Sequence, residues 1–164
     1  EGICRLKREL LSRKGLIVVH STGADGFDEA VSALALTPEE QLRWRAMPYI
    51  SNMGQALAAS DLVLSRAGAS SIAEIAAVGV PSLLVPYPHA TADHQTVNAR
   101  FLVDAGAASL VADAAIDTPE FSGELLGLLD DSSRREGMRK AALALGQSRA
   151  AAALADQVEA AARA

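Results

Sequence analysis

Apolar residues at Ile3, Leu6, Leu10 and Leu11 recur at helical spacing and predict a helix over 3–13, closed by Lys14-Gly15. Residues 16–20 (LIVVH) form a short, nearly all-apolar run, the pattern of a strand buried on both faces. Ser21-Thr22-Gly23 reads as a turn. The same logic places helices at 27–36, 52–59, 70–78 and 91–104, and strands at 42–47, 62–64, 81–85 and 108–111. Pro48 ends one strand and Gly79 stops one helix. Three helices close the chain, near 119–129, 133–145 and 148–163.

Strands and helices alternate from 16 to 111. The pattern predicts an α/β fold: a Rossmann-like parallel sheet with helices on both faces. One domain is expected over 1–164, with 148–163 as its last helix. The chain opens on a helix, whereas doubly wound domains usually open on a strand and a glycine-rich turn. The first strand is therefore expected upstream of residue 1. In such sheets ligands sit beyond the carboxyl ends of the strands. The loops concerned are 21–25, 48–52, 65–70 and 86–93.

Composition changes this picture little. Half of the residues are hydrophobic and the net charge is -5, which suits a globular domain and argues against a nucleic-acid binder. Near the start, Arg5, Lys7, Arg8, Arg13 and Lys14 outnumber Glu1 and Glu9. They read as a solvated helix face or, more sharply, as a phosphate or lipid-headgroup contact. The single cysteine, Cys4, excludes a disulfide framework and favours a cytoplasmic setting. No apolar run approaches the ~18–20 residues of a membrane span, and no signal peptide is visible. The alanine-rich end is broken by Gln147, Arg149, Asp156 and Glu159 and reads as a surface helix.

Three segments could carry chemistry. Residues 65–71 (SRAGASS) join a strand to a helix. Gly68 would permit a tight turn, Ser70 or Ser71 would cap the helix, and Arg66 would add charge at a natural anion site. Glu74 follows within an otherwise apolar helix. Its carboxylate could accept two hydrogen bonds from vicinal hydroxyls, or it could simply face solvent. Residues 86–98 (PYPHATADHQTVN) gather His89, Asp93, His94, Gln95 and Asn98. Recognition of sugar hydroxyls fits them better than a metal site, because no cysteine or third histidine joins them. Asp93 could also cap the helix that follows. No cofactor motif, nucleophile elbow, phosphate loop or Asp-x-Asp pair is present.

Together, DLVLSRAGA (61–69), AEIAAVGVP (73–81), LVPYP (84–88) and TADHQTVNA (91–99) closely resemble the carboxyl-terminal domain of glycosyltransferase family 28, of GT-B fold. The branch resembled is the bacterial UDP-N-acetylglucosamine transferases that complete the lipid-linked peptidoglycan precursor. The resemblance runs from about 16, where LIVVHSTG looks like the family's HQTG-type strand end, to about 113. It weakens over the last three helices.

The resemblance implies roles residue by residue. The Ile50 backbone would pair with uracil, and Met53 would border that pocket. Gly68, Ala69, Ser70 and Ser71 would face the diphosphate, with Arg66 nearby. Glu74 would bind both ribose hydroxyls. His94 and Gln95 match a polar pair at the sugar, where many relatives carry two glutamines, so His94 departs from the pattern. Gln95 would read sugar hydroxyls and Asn98 would support the loop. No metal and no cofactor is implied.

In this family the acceptor site, the membrane-facing patch and the general base lie in an amino-terminal domain. No catalytic residue is therefore expected in this chain, which should bind donor weakly and not act alone. The implied partners are UDP-N-acetylglucosamine and, through that other domain, a lipid-linked acceptor and the membrane surface, with no nucleic acid. The implied place is the cytoplasm, peripheral on the inner face of the bacterial cell membrane. Two alternatives stay open: a related lipid glycosyltransferase of the glycosyl-diacylglycerol type, and a non-catalytic donor-binding subunit that needs a separate acceptor-binding partner.

Overall fold

The computed structural model describes residues 2–90 and 93–146. Its organising element is strand β4 (Ser82–Leu84), buried at every position. It lies between β3 (Val63–Ser65) and β5 (Ala108–Leu110), parallel to both, with Leu64 opposite Leu83 and Leu83 opposite Ser109. Successive strand side chains point to opposite faces, so the two leucines of β4 serve two different cores. Leu84 packs with Ile72, Ile75 and Ala76 of α6 (Ala69–Val78) and with Ala99 and Leu102 of α7 (His94–Val103). Leu83 packs with Phe121, Leu125 and Leu128 of α8 (Pro119–Asp130). Helix α9 (Ser132–Gly146) spans both cores, Met138 on one and Ala142 on the other. These are the helices on both faces that the alternating pattern predicts.

Glycine is required at the end of α6. Gly79 sits at φ 75, the left-handed conformation that closes helices, and its N–H donates to the Ile75 carbonyl at 2.9 Å. A Cβ there would also fall 2.4 Å from the Leu143 side chain.

A second parallel ladder pairs β1 (Val18–Ser21) with β2 (Trp44–Met47). One of its faces packs Trp44 against Cys4 of α1 (Gly2–Arg5), Leu10 of α2 (Lys7–Leu11) and Leu34 of α3 (Phe27–Leu34). The other face is open. Ile17 is 65% exposed and Val19 52%, so β1 alternates along its length instead of being buried on both faces. An apolar run does not distinguish those two cases; here the described residues cover one face only.

One predicted helix breaks in its interior, and one helix forms that the sequence does not predict. The helix expected over 3–13 breaks at Leu6, whose N–H reaches back only three residues to Ile3. Leu6 packs against two cores at once. A short helix absent from the sequence reading, α4 (Pro38–Gln41), starts in a capping box. Thr37 Oγ1 accepts from the Glu40 N–H at 3.3 Å, and Glu40 Oε2 accepts from the Thr37 N–H at 2.9 Å. Helix α5 (Met53–Ala58) follows β2, with Asn52 Oδ1 accepting from the Gln55 N–H. The helix expected over 148–163 lies outside the described residues.

Arg5, Lys7 and Arg13 of the basic stretch near the start are tied to distant parts of the fold. Arg13 forms a two-pronged pair with Asp130, at 3.0 and 2.8 Å. Lys7 pairs with Glu40 at 2.7 Å and also donates to the Leu34 and Ala35 carbonyls that end α3. Arg5 meets Asp117 at 2.9 Å and Arg8 meets Glu9 at 3.4 Å. Cations so paired favour the structural reading over the lipid-headgroup one. No described helix is long and apolar enough to cross a membrane.

Candidate functional site

Within each ladder the strands run parallel, so their carboxyl ends open on one edge of that ladder, where its connecting loops meet. The turn from β3 into α6 is central. Gly68 is the N-cap of α6, and no side chain caps the helix. Ala69, Ser70 and Ser71 form its first turn, so neither serine is the cap that the sequence suggests. Gly68 also differs from expectation. Its φ of -62 is open to any residue, so the turn itself does not demand glycine. A Cβ there would meet nothing nearer than Ser71 Oγ at 3.9 Å. What glycine leaves is open space over an uncapped helix start, where N–H groups and the helix dipole favour an anion.

Glu74 lies four residues past Ser70 and three past Ser71, on one face of α6. It is exposed and has no ion pair or hydrogen bond among the described residues. Helix α5, which follows the loop after β2, packs beside α6. In that loop Ile50 is half-buried; Met53, at the start of α5, is 38% exposed.

The loop between β4 and α7 forms the opposite wall. Gln95 and Asn98, one turn apart on α7, both reach the β3–α6 turn. Gln95 Oε1 accepts from the Ala67 and Tyr87 N–H groups, each at 3.0 Å. Asn98 Nδ2 donates to the Ala67 carbonyl at 3.2 Å. His94 is the first residue of α7 and is exposed. Asp93 precedes it in the left-handed region (φ 54) and stands at the N-cap without a side-chain cap bond; its Oδ1 accepts instead from Thr96 Oγ1 at 2.6 Å. His89 meets Tyr87 edge-on at 5.5 Å. Among the described residues no three His, Cys, Asp or Glu side chains gather as metal ligands.

Arg66 departs from the sequence expectation. Its guanidinium donates to the Val85 and Pro86 carbonyls at 3.2 and 3.3 Å, pairs with Asp113 and lies 5.6 Å from the centre of the Tyr87 ring. Its charge is partly neutralised, and Nη1 makes these bonds at the end of β4, while the side chain stays 46% exposed. Asp113 is the partner the sequence reading lacks. It stands 47 residues away, and no local spacing signals it.

The carboxyl end of β1 supplies the last loop. Thr22 Oγ1 donates to the Gly23 carbonyl at 2.8 Å, and the Thr22 N–H to the Met47 carbonyl at 3.0 Å. A cavity of about 180 Å³ lies behind it, lined in part by His20, Thr22 and Glu29. His20 packs edge-on to Trp44 at 6.2 Å, and its Nδ1 is buried without a hydrogen-bond partner among the described residues. Burial pushes the His20 imidazole below its ordinary pKa. The fold therefore favours the neutral ring. Its contribution to stability is complete above about pH 6.5, the unfolded value, and declines as pH falls towards the lowered folded value. Urea midpoints from pH 8 to pH 5 should drop less for His20→Leu than for the parent. Parallel declines would clear His20 of the effect.

Comparison with known proteins bears on this edge of the molecule. The profile of the glycosyltransferase family 28 C-terminal domain matches residues 4–158. A curated relative from Chlorobium phaeobacteroides is 55% identical over 111 residues, covering 68% of this chain and 30% of its own length. Another, from Nitratidesulfovibrio vulgaris, is 44% identical over 146 residues, covering 89% of this chain and 40% of its own. Both are named UDP-N-acetylglucosamine--N-acetylmuramyl-(pentapeptide) pyrophosphoryl-undecaprenol N-acetylglucosamine transferase. The crystal structure of Acinetobacter baumannii MurG superposes with a TM-score of 0.80 at 30% identity, covering 96% of this chain and 45% of that one.

Proposed function

The chain belongs to the glycosyltransferase family 28 C-terminal domain family, and from that premise we propose that it is the donor-binding half of a UDP-N-acetylglucosamine transferase of peptidoglycan synthesis. It spans 30–40% of the length of the two curated relatives. The observation that carries the reading is one edge. It joins an uncapped helix start, a carboxylate one turn along that has no partner among the described residues, and a polar wall from α7.

UDP would lie along that edge. Its diphosphate faces the N–H groups of Ala69, Ser70 and Ser71 over Gly68. Its ribose hydroxyls donate to Glu74, and its uracil pairs with the Ile50 backbone beside Met53. The sugar lies towards His94 and Gln95. The acceptor hydroxyl of the lipid-linked muramyl-pentapeptide attacks the anomeric carbon as the bond to UDP breaks, with inversion. Negative charge grows on the departing diphosphate, where the α6 N-terminus stabilises it; one such preorganised donor typically lowers a barrier by ~2.7–4 kcal/mol. The acceptor proton goes to a base outside this chain. Arg66 helps hold the ends of β3 and β4 together through Nη1, which leaves Nε and Nη2 able to face the phosphates.

The divided sheet fits the same reading. The ladders run β2-β1 and β3-β4-β5. One further parallel strand between β1 and β3 would complete the doubly wound order 3-2-1-4-5-6. The acceptor site and the contact with the inner face of the cell membrane would belong to the rest of the protein. The relatives' names favour transfer to the peptidoglycan precursor over the glycosyl-diacylglycerol alternative.

The test is ligand discrimination by the full-length protein. UDP-N-acetylglucosamine should raise its unfolding temperature more than equimolar UDP-glucose. Equal shifts would remove the case for the sugar, and no shift with either would remove the case for the site.

A further inference from the structure

The carboxamide of Gln95 has two ends, and the structure occupies one of them. Both groups facing Oε1 are backbone N–H donors, those of Ala67 and Tyr87, each at 3.0 Å. Only an oxygen can accept from both, so the orientation of the amide is fixed. Ala67 is fully buried, and its carbonyl is taken up by Asn98 Nδ2. Both polar atoms of residue 67 therefore bond to side chains of α7. Residue 67 immediately precedes Gly68, the N-cap of α6. The β3–α6 turn thus takes its position from α7, not from a capping side chain of its own.

We propose that Gln95 is a positioning residue for the diphosphate end of the site, its carbonyl clamping the β3–α6 turn to the β4–α7 loop. This rests on the reading that a UDP-sugar occupies this edge. The clamp also restricts what Gln95 offers a ligand. With Oε1 engaged, only the two Nε2 hydrogens remain, so Gln95 can donate to the sugar's oxygens and cannot accept from its hydroxyls. A residue that merely read the transferred sugar would not affect the affinity for UDP, which lacks that sugar. A clamp on the turn must affect it.

The variant is Gln95→Met, similar in length and without the amide, made in the full-length protein. Three ligands are titrated: uridine, UDP and UDP-N-acetylglucosamine. The Ala67 N–H beside the α6 start and the Tyr87 N–H of the β4–α7 loop both lose their acceptor, so UDP affinity should fall at least about tenfold. Uridine, held by Ile50 and Glu74 far from the clamp, should change less than about twofold by ligand-observed NMR. Asn98→Ala, which removes the other arm, should repeat the pattern more weakly and serves where Gln95→Met folds poorly. Unchanged UDP affinity with weakened UDP-N-acetylglucosamine would overturn the proposal and leave Gln95 a sugar reader. Equal losses for uridine and UDP would overturn it in favour of general destabilisation. A parent protein that binds no UDP would sink the underlying functional reading itself, an outcome distinct from both.

Discussion

Replacing Glu74 with alanine is expected to weaken UDP binding by at least about a hundredfold, since each hydrogen bond to a charged group contributes ~1.5–3 kcal/mol and the ribose would offer two. The same change should leave thermal unfolding nearly where it was. Glu74 is exposed and has no partner among the described residues, so no fold contact is lost. Alanine is also the stronger helix former, which offsets any small loss along α6. Glu74→Gln should fall between, because a neutral amide oxygen still accepts, but more weakly. Calorimetry with UDP and a thermal melt on the same preparations decide the matter. Equal UDP affinity in variant and parent would sink the ribose assignment. A large drop in unfolding temperature would instead make Glu74 structural. The pairing of a large binding effect with a silent melt separates a site residue from a fold residue.

The elements were legible where one local rule settled them. The apolar run before Pro86 reads as a buried strand and is β4, covered on both faces. Gly79 reads as a helix stop and is one, with the positive φ the stop requires. The run at 16–20 looks alike in composition, yet its β1 segment is half open. Burial depends on what else packs on the sheet, and hydropathy carries no record of that. The break at Leu6 was not legible either: helical spacing continues through it, and nothing local records that its side chain packs against two cores.

At the candidate site, the sequence indicated the segments involved more clearly than the bonds each group makes there. Ser70 and Ser71 look like caps because small hydroxyl residues precede a helical pattern, but the helix begins at Ala69 and they fall inside it. Arg66 looks like a free phosphate contact because Asp113, which pairs with it, is remote in sequence. The bonds from Gln95 to Ala67 and Tyr87 end on backbone atoms. Backbone donors are the same in every residue but proline, so no choice of amino acid at 67 or 87 could announce them.

Trp44→Ala should be the most damaging single change to the fold, at ~3–5 kcal/mol of stability, the usual range for truncating a buried aromatic residue to alanine. Trp44 is 1% exposed and is among the largest fully buried side chains described. It stands on β2, in a ladder of two strands, which has little stability of its own in water. One face of that ladder is open, so α1, α2 and α3 must hold it from the other, and Trp44 is the residue on which they converge. A loss of that size is a large part of the ~5–15 kcal/mol that a typical domain has. Trp44→Phe should cost much less. The indole N–H has no hydrogen-bond partner among the described residues, so exchanging it for a benzene ring forfeits volume and no bond. Urea unfolding followed by circular dichroism is the suitable measurement, because Trp44 is the sole tryptophan and its removal silences the fluorescence. Hydrogen exchange adds the location: protection should fall first at Val18, Val19 and His20 and persist at Leu83 and Leu84, whose cores contain no residue of β1 or β2. An alanine variant within about 0.5 kcal/mol of the parent, the ordinary range for surface changes, would mean that the ladder is held by something other than this core.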